Sequence, residues 1–559
     1  MYYKEMPKDP KRRRGAVKSY VEKDGDIYGV QWSSRQRKAF EKEWLAELKD
    51  ILLSEVMLLK MKKSGKELDP KFFDNEEKKL YEESDRKEWS QWIQNGVVRR
   101  LTPEERKKVS PDTVFRTPMR MVRTNKQQKG LLPVLAKSRL VLPGHTDPGL
   151  GMFRTDSPTT GLVAVRMAKA VAQFRDWIIW VFDVTTAFLS GLATEREIYA
   201  KAPPDGLPAT DGWSQVLPYE LLRIMKSAYG LAEAPRLWYL RAVQLIHQTS
   251  LREVPAAKAT FVASERGETY AILCLHVDDG LLLGHPQDAR YLKLKDDLNK
   301  LFKIKEWRQM PVTFLGVDIK TGKKPGIYDD MSSYVHGIKI PEAEKKKGAE
   351  PLEPEDVTRF RQLTMRLRWP AQQAMPQKLY EVSALAQKVN RATYDDFKEA
   401  VKLHGSFLEE VEAERGSLYY PRQKGKPYLL SFFDASLGKE EDGRSQLGGI
   451  HFLTTEAVKQ GPALAAPIEY HSSRSTRVVR SSMAAESNAM SLTVDRHLYL
   501  RILLDILWTG EIEIKEEWRK HLRFGGGLVT DARSLWDHLQ TTLNPSERQT
   551  MLDLLWPRI

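Results

Sequence analysis

Two adjacent aspartates, Asp278 and Asp279, lie in the middle of the otherwise apolar run "LCLHVDDGLL". The run predicts a strand, a tight turn and a second strand, which would place both carboxylates at the apex of a hairpin. A third acid, Asp183, ends the buried strand predicted by "WIIWVFDV". The pair is either an incidental surface turn or, if these strands are neighbours in one sheet, part of a three-carboxylate site.

Three converging carboxylates have a specific chemistry. Like charges raise each other's pKa, so such a cluster is costly unless cations neutralise it. Hard oxygen ligands with room for water and phosphate suit Mg²⁺. Two such ions stabilise the attacking and leaving oxygens of a phosphoryl transfer. The acids therefore indicate a site for two Mg²⁺ ions, with Mn²⁺ as a substitute.

A second set of acids lies beyond residue 425. Asp434 falls within or at the end of the strand predicted by "SFFDAS", and Glu486 falls in the first turn of a predicted helix, where the helix dipole favours an anion. Asp531 precedes another predicted helix, and Asp553 follows it. Taken singly, Asp531 fits an ordinary N-cap and Glu486 a surface acid. Together the four make a second candidate two-metal site.

Composition limits the classes of protein and partner. At 559 residues the chain is long enough for three or four domains, and its net charge of +14 suits a polyanionic partner such as nucleic acid. The single cysteine, Cys274, excludes internal disulfides and Cys-based zinc sites. No run approaches the roughly 18 apolar residues of a membrane span. We expect an intracellular protein without a membrane partner.

Five motifs carry a resemblance to a known family. "KSRLVLPG", "FDVTTAFLSG", "KSAYGLAEAPRLWY", "LHVDDGLLLG" and "FLGVDI" occur in that order along the chain. Their order and spacing resemble those of the reverse transcriptases of Ty1/copia-type LTR retrotransposons. The resemblance implies a right-hand polymerase with fingers, palm and thumb. It further implies that Asp183 and Asp278 are the main ligands of both Mg²⁺ ions, with Asp279 as the weaker third carboxylate.

Four more residues take roles from the same resemblance. Phe188 matches the aromatic that lies under the incoming sugar and excludes a 2′-hydroxyl, although its chemistry alone also fits a core residue. Lys137 and Arg139 match basic fingers positions that hold the triphosphate, or they form a solvated strand face. Glu233 stands where the family carries Gln, so an extra acid near the nucleotide is expected to affect binding. His276 replaces an aromatic residue, as a structural substitute.

The second set of acids also has a family match. The order Asp434, Glu486, Asp531, Asp553 and the flanking residues resemble the ribonuclease H domain that follows the reverse transcriptase in this family. The four acids fall on its metal-binding positions. The expected fold class is therefore α+β, a right-hand polymerase followed by an RNase H-like α/β domain. The expected parts are a basic, mostly helical extension (1–85), fingers and palm (86–320), a mainly helical thumb or connection (321–424) and an RNase H-like domain (425–559) that is cut short at its C-terminus.

The sequence thus predicts an RNA-directed DNA polymerase with an attached ribonuclease H. Its partners would be an RNA template, a DNA primer, RNA–DNA hybrid and dNTPs, with the oligomeric state left open. A cytoplasmic particle and the nucleus both remain open as its location, since the run "KRRR" suits nuclear entry or a solvated tail. The alternative is a decayed transposon remnant that binds nucleic acid without catalysis.

Overall fold

The computed structural model describes residues 67–126, 134–342, 348–438, 443–511 and 522–540, with the backbone of 18–23 and 26–31. Residues 1–17, 24–25 and 32–66 of the predicted helical extension, which include the basic run "KRRR", lie outside the described residues, as does the acid Asp553.

Helices and strands alternate irregularly along the described chain. The helices are α1 (Asn75–Gln94), α2 (Pro103–Lys108), α3 (Leu162–Phe174), α4 (Ala234–Ile246), α5 (Ala289–Leu301), α6 (Ser332–His336), α7 (Pro354–Gln373), α8 (Leu379–Gln387), α9 (Tyr394–Glu412), α10 (Ser482–Thr509) and α11 (Arg533–Gln540). The strands are β1 (Lys18–Lys23), β2 (Asp26–Gln31), β3 (Val98–Arg100), β4 (Arg120–Asn125), β5 (Ala136–Val141), β6 (Ile178–Val184), β7 (Ala193–Lys201), β8 (Leu221–Lys226), β9 (Leu251–Val254), β10 (Ala257–Glu265), β11 (Glu268–His276), β12 (Asp279–Gly284), β13 (Ile304–Arg308), β14 (Val312–Phe314), β15 (Val317–Thr321), β16 (Gly326–Asp330), β17 (Ser417–Pro421), β18 (Pro427–Ser436), β19 (Gln446–Thr455), β20 (Ala466–Arg474) and β21 (Gly525–Val529).

The chain divides into two compact units, one of residues 1–155 and 193–234 and the other of 156–192 and 235–559. In the first unit, β3, β8 and β7 form an antiparallel sheet and β4 pairs with β5. Helix α1 starts at a capping box, in which Asp74 and Glu77 each accept the other's backbone N–H. The helix buries Trp89 and Trp92 completely. The domain boundaries expected from the sequence stay a prediction.

The second unit is built around a six-stranded antiparallel sheet in the order β13-β6-β12-β11-β10-β9. Both of its faces are buried, which explains the nearly continuous apolar sequence of β11. Ile272 and Cys274 pack in one core cluster with α3, while Leu273 and Leu275 pack in another with α4 and α5. The hairpins and the strand predicted around Asp183 are confirmed.

Two further sheets complete this unit. Strands β14 to β17 form one in chain order, and the second has the order β20-β19-β18-β21, in which β21 runs parallel to β18 and the other pairs are antiparallel. Helix α10 covers the second sheet, and its Leu503 and Leu507 share a core cluster with α3. The predicted α+β class is confirmed. No helix among the described residues is long and apolar enough to cross a bilayer.

Candidate active sites

The strand pairing brings the first three acids together. Strand β12 lies antiparallel between β11 and β6, with Asp279 directly opposite Asp183 on one side and His276 on the other. Asp278 occupies the turn, and its carbonyl accepts the N–H of Val184 at 2.9 Å. All three carboxylates therefore lie at one end of the sheet, as the sequence predicted.

A hydrogen bond from α4 holds a strained residue at the hairpin apex. Val277 has a φ of 56°, which is costly for a β-branched residue. The indole N–H of Trp238, on α4, donates to the carbonyl of Val277 at 2.6 Å. No local sequence pattern reveals this hydrogen bond, because the two residues are 39 positions apart.

Strands β6 and β12 approach closely beside Asp183 and Asp279. A Cβ added to Gly280 would meet the ring of Phe182 at 2.2 Å. Gly280 and Phe182 are partners in the register that also pairs Asp279 with Asp183. A side chain at Gly280 would therefore force the two acid-bearing strands apart.

The electrostatics of this end of the sheet favour a cation. Burial, together with the charges of Asp278 and Asp183, raises the pKa of Asp279 to about 6. Burial lowers the pKa of His276, whose Nδ1 has no hydrogen-bond partner among the described residues. A divalent ion would relieve the repulsion, and the all-oxygen donor set fits Mg²⁺.

The other predicted nucleotide contacts occupy separate elements. Phe188 lies in a short 3₁₀ helix just after β6, half-buried against the core cluster that contains Trp238. In the first unit, Lys137 and Arg139 alternate with buried residues on β5. The Arg139 guanidinium lies 5.8 Å from the centroid of the Tyr229 ring.

Glu233 is a paired acid. It is 8% exposed and accepts hydrogen bonds from Arg196 Nε at 3.0 Å and Thr194 Oγ1 at 2.6 Å. The same guanidinium donates to both carboxylate oxygens of Asp147 and stacks on the Phe153 ring. The charge of Glu233 is therefore compensated by Arg196 within its own unit. The sequence did not reveal this partner.

The second acidic site also assembles. One oxygen from each of Asp434, Glu486 and Asp531 lies within 4.8 Å of the others. Asp434 lies on β18, and Asp531 follows the adjacent parallel strand β21. Glu486 lies near the start of α10, where the Ser481 hydroxyl caps the helix by accepting the N–H of Ala484. Asp553 lies outside the described residues.

Glu486 differs from a surface acid. It is 5% exposed; Oε1 accepts the N–H of Ala435 at 3.2 Å, while Oε2 is buried and has no hydrogen-bond partner in the part of the chain that the structure describes. Burial, followed by the charges of Asp434 and Asp531, raises its pKa to about 7. An unpaired buried oxygen beside two exposed carboxylates fits a hard divalent cation. Asp531 is not an N-cap: α11 begins at Arg533, and the carbonyl of the preceding Ala532 accepts the N–H of Trp536.

Comparisons with known proteins agree with the first site. Residues 108–339 match the family described as "Reverse transcriptase (RNA-dependent DNA polymerase)". The Pol polyprotein from transposon RE1 of Arabidopsis thaliana is 25% identical over 66% of this chain and 24% of its own length. The Pol polyprotein from transposon TNT 1-94 of Nicotiana tabacum is 30% identical over 30% of this chain and 12% of its own length. The Ty1-LR2 Gag-Pol polyprotein of Saccharomyces cerevisiae is 23% identical over 84% of this chain and 26% of its own length.

Among solved structures, the foamy viral protease-reverse transcriptase in complex with RNA/DNA hybrid has a TM-score of 0.41 and 12% identity, covering 81% of this chain and 54% of that one. The chain spans about a quarter or less of the length of the transposon relatives above. The motifs, the palm-type hairpin and the matches to the family and to the transposon relatives lead to one conclusion: the chain contains a reverse transcriptase domain and is similar to Ty1/copia-type Pol polyproteins.

Proposed function

We propose that this chain is an RNA-directed DNA polymerase that extends a DNA primer on an RNA template. The observation that carries the proposal is the register that opposes Asp183 and Asp279 at the hairpin apex, within the range that matches reverse transcriptases. The primer 3′-hydroxyl attacks the α-phosphorus of a dNTP, a new phosphodiester bond forms, and pyrophosphate leaves.

The palm carboxylates would organise this reaction. Asp183 and Asp278 would hold two Mg²⁺ ions, with Asp279 as a third, weaker ligand. When bound, the ions supply charge stabilisation for the attacking and leaving oxygens. The contact between Trp238 and Val277 holds the backbone of the apex that carries Asp278.

Residues outside the palm carboxylates would hold the nucleotide. Lys137 and Arg139 would bind the triphosphate, for which a point charge and a forked donor are suited. Phe188 would lie under the sugar and exclude a 2′-hydroxyl. Glu233 would act through Arg196 rather than as a bare charge, since their ion pair is 3.0 Å long.

We further propose that the second acidic site degrades the RNA strand of RNA–DNA hybrids. The approach of Asp434, Glu486 and Asp531 to within 4.8 Å supports this role. These carboxylates would hold divalent ions, which supply a nucleophilic water and stabilise the leaving oxygen. Asp553 remains the predicted fourth ligand.

The polymerase is tested by incorporation of dTTP on a poly(rA)·oligo(dT) substrate with Mg²⁺. We expect Asp183→Ala to abolish incorporation and Asp296→Ala to leave it unchanged, because Asp296 is an exposed acid on α5 that forms an ion pair with Lys300. Absence of incorporation by a folded, hybrid-binding wild type would favour the binding-only alternative.

The nuclease is tested with a hybrid labelled on its RNA strand. We expect Asp434→Asn to abolish RNA cleavage. Asp537→Asn serves as the control, since Asp537 is an exposed acid on α11 that lies near Arg533. Equal cleavage by Asp434→Asn and wild type would contradict the assignment.

A further inference from the structure

The hairpin that carries Lys137 and Arg139 is completed by a helix instead of a third strand. Strands β4 and β5 form a two-stranded sheet. The N–H of Ser138 donates to Ser84 Oγ at 2.9 Å, and the N–H of Leu140 donates to Glu88 Oε1 at 3.2 Å. Both acceptors belong to α1, so its side chains satisfy the strand edge.

The spacing explains why a helix can do this. Four residues along a helix advance about 6 Å, and two residues along a strand advance about 6.6 Å. Ser84 and Glu88, one turn apart, therefore match the alternate donors Ser138 and Leu140. The side chains of those two donors are 1% and 0% exposed.

A third contact ties the partner strand to the same helix. Arg123 on β4 forms an ion pair with Asp85, with Nε and Oδ2 3.0 Å apart. Arg123 is also the cross-strand partner of Ser138. Helix α1 therefore holds both strands, which limits sliding or rotation of the hairpin.

The result is a fixed direction for the basic residues. Side chains alternate between the two faces of a strand. With Ser138 and Leu140 buried, Lys137 and Arg139 occupy the other face, half-buried and exposed respectively.

Glu88 also affects the charge of this strand. It is 4% exposed, and the Trp92 indole N–H donates to Oε1 at 3.2 Å. Burial raises the pKa of Glu88, with Lys137 and Arg139 opposing the shift. Burial lowers the pKa of Lys137, with Glu88 opposing that shift in turn. The carboxyl therefore supports the cationic form of Lys137 as well as the strand.

We propose that Ser84 and Glu88 are positioning residues for nucleotide binding, because they fix the β5 edge so that Lys137 and Arg139 face the triphosphate. This assignment rests on the proposed polymerase function. Neither residue is expected to contact the nucleotide.

The test compares two substitutions of Glu88. Glu88→Leu removes the acceptor for the N–H of Leu140 and puts a good helix former in its place, whereas Glu88→Gln keeps an acceptor oxygen. Glu83→Gln is the control at an exposed position of α1. For Glu88→Leu we expect the KM for dTTP to rise about ten-fold, the scale of one charge-assisted contact, with kcat and hybrid affinity little changed. Glu83→Gln should behave as wild type. Glu88→Gln should give a KM between those of wild type and Glu88→Leu, because it keeps the acceptor for the N–H of Leu140 but loses the charge beside Lys137.

Two further measurements test the positioning role of Glu88 separately from the proposed polymerase function. Amide exchange at Leu140 should become faster in Glu88→Leu but not in Glu88→Gln, and equilibrium dialysis should show weaker dTTP binding without any turnover. Faster exchange with unchanged dTTP binding would overturn the proposal. An inactive wild type would contradict the polymerase, while exchange and dialysis would still decide the positioning role.

If Glu88→Leu does not fold, Ser84→Ala gives the same comparison at Ser138, with the Glu88 carboxyl intact. Slower dTTP association with wild-type exchange at Ser138 would likewise contradict the assignment. Faster exchange together with a higher KM would support it.

Discussion

Acid should weaken the sheet that carries Asp434, because two buried histidines, His451 and His497, and the half-buried His471 pack between it and α10. The Ser431 hydroxyl lies 2.7 Å from His451 Nδ1 and 2.8 Å from His497 Nδ1. His451 and His497 are 0% and 5% exposed, and neither ring nitrogen of His471 has a partner among the described residues. Such an environment disfavours the imidazolium form.

The magnitude follows from the pKa values. Burial lowers the pKa of His451 to about 3 and those of His471 and His497 to about 4. A lowered folded-state pKa means that the unfolded chain binds more protons, so stability is complete above the unfolded value of about 6.5 and falls as the pH drops toward the folded value. Each histidine would then lower the free energy of unfolding by about 2 kcal/mol between about pH 7.5 and about pH 5.

The assay is urea unfolding at these two pH values, followed by a fixed hydrogen-exchange pulse and mass spectrometry of the β19 peptide. We expect His451→Gln to remove about 2 kcal/mol of the pH dependence. His247→Gln should remove none, because His247 is exposed near the end of α4. An unchanged pH dependence in His451→Gln would refute the reasoning.

Three substitutions give further expectations. Gly280→Ala should cost about 1–3 kcal/mol by overpacking, seen as a lower urea midpoint, and should also reduce dTTP incorporation. Lys169→Met should cost about 3–5 kcal/mol in the same assay, because it leaves Asp329 charged and buried at 1% exposure. Glu233→Gln should lower the free energy of unfolding by about 1–2 kcal/mol, since it removes the ion pair with Arg196.

Matched controls separate these effects. Gly461→Ala tests an exposed loop glycine with open space around it, and its stability should equal that of wild type. Wild-type stability in Lys169→Met would contradict the buried ion pair. A gain in stability from Glu233→Gln would show that two acids on one guanidinium are unfavourable.

The sequence predicted the parts of the site that depend on local pattern. The run of β11 and β12 shows two apolar strands around a turn, so the place of Asp278 at an apex follows from periodicity and turn length alone. The approach of Asp434 and Glu486 followed from the family order of acids.

The contacts that hold the site were not predictable in this way. Arg166 and Lys169 lie in α3, whose sequence gives no sign of buried charge, yet both are 2% exposed. Arg166 donates to the carbonyl of Gln373 and to the hydroxyl of Tyr470, which are about two and three hundred positions away. The compensation of these charges depends on long-range packing, which no local periodicity records.

Primer extension on poly(rA)·oligo(dT) with Mg²⁺, comparing wild type with Asp278→Ala, tests whether the palm carboxylates carry the polymerase reaction. We expect incorporation by the wild type and none by Asp278→Ala, with hybrid affinity retained by both. Equal incorporation by the two proteins would contradict the assignment of the palm carboxylates.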